Sequence, residues 1–142
     1  MISLNRKSSI ESLQEEFGRE RAEVLASAGN SVFAAIEALQ TKSRVIAAGL
    51  DKLREFGRKG GRGQGDEDAK GRRLKLEREL DINISEYNKL HERARLRYYY
   101  LLVTREAMGL RNHQWVEGVY RVPDRIKPLN HEASPSFTDR AI

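Results

Sequence analysis

Glycines and cations crowd together in Gly57-Arg58-Lys59-Gly60-Gly61-Arg62-Gly63-Gln64-Gly65, a composition that could cradle a phosphate. Glycine-rich turns expose backbone N–H groups, and guanidinium groups pair with phosphate oxygens two bonds at a time. The more demanding signatures are missing. No Gly-Lys-Ser/Thr follows, and the spacing does not give Gly-x-Gly-x-x-Gly after a strand. A flexible connection between two helices accounts for the stretch more simply.

Arg58, Lys59 and Arg62 are followed by Arg72, Arg73, Lys75 and Arg78, and Lys89, Arg93, Arg95 and Arg97 continue the basic series up to Tyr98, Tyr99 and Tyr100. Cations interleaved with aromatic rings are the footprint of nucleic-acid contact, in which arginine neutralises phosphate and rings stack on bases. Asp66, Glu67, Asp68, Glu77 and Glu79 interrupt the series, and 26 basic residues against 21 acidic ones leave a net charge of only +5. A solvated, ion-paired face is therefore expected, with a nucleic-acid-associated protein contacting its ligand through Arg58, Lys59, Arg62, Arg72, Arg73, Arg93 and Arg97 as the alternative.

Chemistry of other kinds finds no foothold. His91, His113 and His131 have no His-x-x-x-His or Glu-x-x-His spacing that would place two ligands on one helical turn. Glu77 and Asp81, like Glu16 and Glu20, have basic neighbours three or four positions away, which makes them surface ion pairs before they are acid–base catalysts. Gly-x-Ser-x-Gly is absent. A metal enzyme assembled in a helical-bundle core would need acids at core-facing positions, and those positions hold essentially none. The expectation is a non-enzymatic chain with no cofactor and no metal. Tyr98, Tyr99 and Tyr100 point in three directions around a helix, so they are read as anchors for different packing partners.

The elements that position these residues are two long helices. Ile10, Leu13, Phe17, Val24, Leu25, Ala28, Val32, Ile36, Leu39, Ile46, Leu50 and Leu53 fall in a sector of roughly 140° at helical periodicity. The phase is kept across Gly29-Asn30, so a single helix of about 65 Å is expected over residues 9–56. The alternative is a break at Gly29 with Asn30 or Ser31 capping a new helix. Ser8 and Glu11 have capping-box spacing and mark the start. Gly18, Ala22 and Gly29 share an edge of the stripe, where a second helix should approach closely. A flexible glycine-rich loop is expected at 57–71. The second helix, about 68–108, carries Leu76, Leu80, Ile84, Tyr87, Leu90, His91, Ala94, Tyr98, Leu101 and Leu102 on one face, and Leu96, Tyr99, Tyr100 and Val103 on the opposite side. Gly109 should end it. Asn112 could cap a short helix at about 113–120, and Trp115, Val116, Val119, Tyr120, Val122 and Ile126 could clasp the second apolar face. These form one hairpin domain, 1–129, followed by a flexible tail, 130–142. Tyr99, Tyr100, Trp115 and Tyr120 are the candidate protein contacts.

With no cysteine, the chain can form no disulfide. The longest uncharged apolar run, Tyr98 to Val103, is too short for a membrane span. Arg6-Lys7-Ser8-Ser9 leads straight into the helix pattern without the apolar core of a signal peptide. A cytoplasmic location is expected.

Arg105-Glu106-Ala107, Gly109-Leu110-Arg111 and Tyr120-x-Val122-Pro123 resemble a family of small bacterial proteins built from two long helices and a short tail, to which no activity is assigned. The resemblance implies the same architecture and carries over no functional residue; Arg105, Glu106 and Arg111 would tie the tail down. The expected molecule is all-α, an antiparallel helical hairpin with coiled-coil-like packing and a short helical tail, paired into a dimeric four-helix bundle. Its expected role is assembly or protein binding.

Overall fold

No proline occurs before Pro123, so nothing covalent interrupts a helix along most of the chain. The computed structural model describes residues 2–60 and 67–129 and contains three helices: α1 (Ile2–Gly60), α2 (Glu67–Ala107) and α3 (Gln114–Val119). No strand occurs among the described residues, and the protein is all-α. α1 runs unbroken through Gly29-Asn30, as the phase of its stripe requires. Three boundaries move. Ser8 lies inside α1 instead of capping it, because Ile2 to Lys7 contain no helix breaker. At the other end α1 continues past Gly57 to Gly60, where Arg54 and Arg58 complement the negative end of the helix dipole. α2 starts at Glu67, whose carboxylate and that of Asp68 suit its positive end. The expected 57–71 loop thus loses both its flanks to helix. Its centre, including Arg62, and the tail from residue 130 lie outside the described residues.

The two helices pack antiparallel. Gly49 faces Leu80, Lys42 pairs with Glu86, and Arg97 donates to the Ser31 carbonyl oxygen at 3.3 Å. Gly49 is needed where it is: a Cβ there would collide with the Leu80 side chain, which is itself fully buried. Ala35, Leu39, Ile46, Leu80, Ile84, Tyr87 and Ala94 form the main core, and Ala28, Val32, Ile36, Leu101 and Val116 form a second cluster nearer the end of α2.

α1 has 59 residues and α2 has 41. Because the helices are level at the hairpin end, α1 outruns α2 by some 18 residues, or about 27 Å. Every residue from Ser9 to Val24 is exposed.

α2 ends in a Schellman motif. Gly109 takes φ +85°, Gly109 N–H donates to the Glu106 carbonyl at 3.0 Å, and Leu110 N–H donates to the Arg105 carbonyl at 2.9 Å. α3 follows, with His113 at its N-cap position and no side-chain cap bond; the expected cap, Asn112, accepts the Gln114 N–H at 3.2 Å from one position earlier. Residues 120–129 then return as an irregular strap along α2. Arg125 pairs with Glu92, Asn88 both donates to the Ile126 carbonyl (2.9 Å) and accepts its N–H (3.1 Å), and Asp81 accepts the Leu129 N–H at 3.1 Å. Val122, Ile126 and Leu129 add to the main core. Tyr120 packs against Phe33 with the rings tilted by 56° and their centroids 4.8 Å apart, and its hydroxyl occupies the space a Cβ at Gly29 would take. Gly29 is thus closely approached, by the strap and not by a second helix.

Tyr87 is buried and donates to the Asp124 carbonyl at 2.9 Å. Burial, and then the Asp124 charge, push its pKa above the usual 10.0. Burial and then Glu117 do the same to Tyr98. For a raised pKa the neutral form is the one the fold favours, so the stabilisation is complete below pH 10 and is lost as pH rises through the higher folded value. Ultraviolet titration should therefore show Tyr87 and Tyr98 ionising late, with the melting temperature falling over the same alkaline range.

Candidate functional site

The least satisfied surface lies where α1 leaves α2 behind. Ile10, Leu13, Phe17 and Val24 are between 45% and 58% exposed, although they belong to the same stripe that buries Ala28, Val32, Leu39 and Ile46 further along. The stripe is continuous and only its cover stops. Beside it, Leu96, Tyr99, Tyr100 and Val103 stand exposed on α2. Between the two helices at this end lies a groove of about 870 Å³ whose walls are Val24, Ser27, Ala28 and Ser31 on α1 and Leu96, Tyr100 and Val103 on α2. Ridge and groove together make an apolar end, larger than the isolated exposed residues normal on a surface.

The tail does not clasp this face. The Schellman turn sends the chain to the other side of the α1–α2 seam, where Tyr120 and Val122 pack on Tyr98, Leu101 and Leu102. Of the four expected protein contacts, Tyr99 and Tyr100 remain free on the bare end. Trp115 is 56% exposed but lies across the Arg105 guanidinium, 4.8 Å from its ring centroid. Tyr120 is committed to the fold.

The basic residues do not converge. Arg58 is at the hairpin end; Arg72 and Arg73 are exposed on the first part of α2, with Arg73 paired to Glu77 at 3.3 Å. Arg93 is about 31 Å further along the helix than Arg72. Arg97 holds the Ser31 carbonyl. Lys59 and Arg62 contribute no described side chain. No group of three or more metal-ligating side chains occurs among the described residues.

Two positions within the fold carry more than their sequence pattern announces. Arg105 is buried, donating from Nε to His113 Nδ1 (3.4 Å) and from Nη2 to the Asn112 carbonyl (3.0 Å). Since Arg105 can only donate, His113 Nδ1 accepts, and the proton on Nε2 reaches Glu106 Oε1 at 3.1 Å. The Arg105-Glu106 pair does tie the tail to α2. Asn88, a polar residue with no periodic signal, clips the strap through both of its amide atoms. His91 is buried on the core face with Nδ1 lacking a partner among the described residues, beside a polar cleft of about 750 Å³ that Arg95, Tyr98 and Arg121 also line.

α1 also contains one stretch long and apolar enough, by mean hydropathy, to cross a membrane, which an inspection of uncharged runs alone misses. Val32, Ile36 and Leu39 of this helix are buried inside the hairpin, whereas Phe33 and Val45 are exposed.

Comparison with family models, curated proteins and solved structures finds no match to this chain.

Proposed function

We propose that this is a non-enzymatic helical protein that works by assembly or by binding another protein, and that its contact surface is the apolar end formed by Ile10, Leu13, Phe17 and Val24 of α1 with Leu96, Tyr99, Tyr100 and Val103 of α2. One observation carries the reading: the α1 stripe that drives hairpin formation continues for several turns beyond its intramolecular partner. A helix this exposed draws little stability from its own hydrogen bonds in water, and an apolar face gains it by packing. The apolar end gathers eight exposed apolar side chains, against Val45, Leu74 and Ile82 exposed along the flank, which favours contact through that end over a side-by-side four-helix bundle.

The test uses the whole chain as bait in two forms, wild type and Leu13→Glu/Phe17→Glu. The wild type should retain a set of proteins, or further copies of the chain, that the variant loses, while both elute alike from heparin. Identical retention by the two baits contradicts the reading. Tight retention on duplex DNA that collapses between low and moderate salt, unchanged by the substitutions, would favour the nucleic-acid alternative.

A further inference from the structure

We infer that the occupant of the apolar end is a second copy of this chain, joined head to head about a two-fold axis near Phe17, so that the α1 overhang of each copy enters the groove of the other; the inference rests on reading that end as a contact surface. The chain supplies both halves of the contact. Among the described residues nothing covers the ridge of Ile10, Leu13 and Phe17 or enters the groove between Val24, Ser27 and Ser31 on one wall and Leu96, Tyr100 and Val103 on the other. Val24 belongs to both, so the ridge runs directly into the groove and continues the interface already buried between α1 and α2.

Antiparallel overlap of two overhangs uses every part of this surface once. With Phe17 near the axis, Ile10 of one copy comes level with Val24 of the other, at the mouth of its groove, and Leu13 with Arg21. Beyond that point the partner's α2 blocks the direct path, and the incoming helix is turned into the groove on the side away from the strap. The overhang of about 27 Å is long enough for both the overlap and the entry. The same symmetry operation that buries one ridge buries the other, and the closed pair leaves neither free to recruit a third copy. Gly18 fits this arrangement. It weakens a helix interior, and among the described residues nothing beyond its own helical turns lies within 4 Å of where its Cβ would be, so the close approach it permits is available to a neighbouring helix.

Because the chain has no cysteine, single engineered thiols report the geometry without interference. Sedimentation of the full chain at micromolar concentration should give twice the 16.3 kDa protomer mass, and Phe17→Glu should weaken association by roughly a hundredfold while leaving the helical signal intact. Mild oxidation of a mixture of Gln14→Cys and Arg21→Cys proteins should yield the 14–21 cross-linked pair, with Ala48→Cys at the hairpin end remaining uncross-linked. A wild-type monomer at that concentration overturns the inference, as does a dimer in which 14 joins 14 as the dominant product or Ala48→Cys links the copies. A monomer whose retained proteins still vanish with Leu13→Glu/Phe17→Glu would sink the second copy as occupant yet preserve the end as a contact surface, so the two failures are distinct.

Discussion

Leu39→Ala is expected to lower the free energy of unfolding by about 2–5 kcal/mol, the range for truncating a fully enclosed leucine. Leu39 has no exposed surface and sits where α1, α2 and the strap meet, among Ala35, Ile84, Tyr87 and Ala94. Two long helices joined only near one end cannot collapse freely into the void, because their separation is set along the whole seam by contacts such as Gly49 against Leu80. The loss is large beside the 5–15 kcal/mol typical of a whole domain. Denaturant unfolding of wild type and variant measures it. Leu13→Ala is the control: it removes the same atoms from the same stripe, but Leu13 is 51% exposed, so a protomer-level effect within about 0.5 kcal/mol is expected. Equal losses at Leu39 and Leu13 in protein dilute enough to be monomeric would mean that the overhang is buried within its own chain.

The second large effect belongs to Arg105. Arg105→Ala is expected to cost about 2–3 kcal/mol, since hydrogen bonds from a charged donor contribute about 1.5–3 kcal/mol and stacking on an indole adds a fraction more. The substitution strands the Asn112 carbonyl and His113 Nδ1 and removes the plate on which Trp115 rests. Trp115 is the sole tryptophan, so its emission should shift as the α3 turn loosens, separating local release from global loss. Arg105→Lys should not rescue. An ammonium cannot span two acceptors in a plane while lying flat on the ring. Full rescue by lysine would reduce the residue to a mere positive charge.

Helix identity was legible because it rests on periodicity. The stripe from Ile10 to Leu53 required one continuous α1, and the face from Leu76 to Leu102 required a long α2; both are present. Helix ends were less so. Ser8 has the right neighbours for a cap, but capping is worth about 1 kcal/mol and cannot stop a helix whose preceding residues propagate it freely. Gly57 fits a helix terminus equally well and lies inside one. Gly109 was readable, since its left-handed backbone and the turn after it are decided within a few residues. The path of the strap was not: it depends on Asn88, Asp81 and Glu92, polar residues whose pairing with groups 33 to 48 positions away leaves no local pattern. For the same reason Tyr99 and Tyr100 could be recognised as a second apolar face, while the expectation that the tail would cover them failed. The apolar end is a difference between two helix lengths, and so appears only once their register is known.

The apolar end exists only because α1 is straight through Gly29-Asn30 and outruns its partner. Spin labels on cysteines at Arg19 and Ala48, both exposed and both on the outer side of α1, measure this directly when the labelled chain is diluted into unlabelled protein. Twenty-nine helical residues at 1.5 Å each predict one narrow distance distribution centred near about 44 Å. A substantially shorter or two-peaked distribution would show that α1 folds back at Gly29-Asn30, and the bare apolar end with its contact role would go with it.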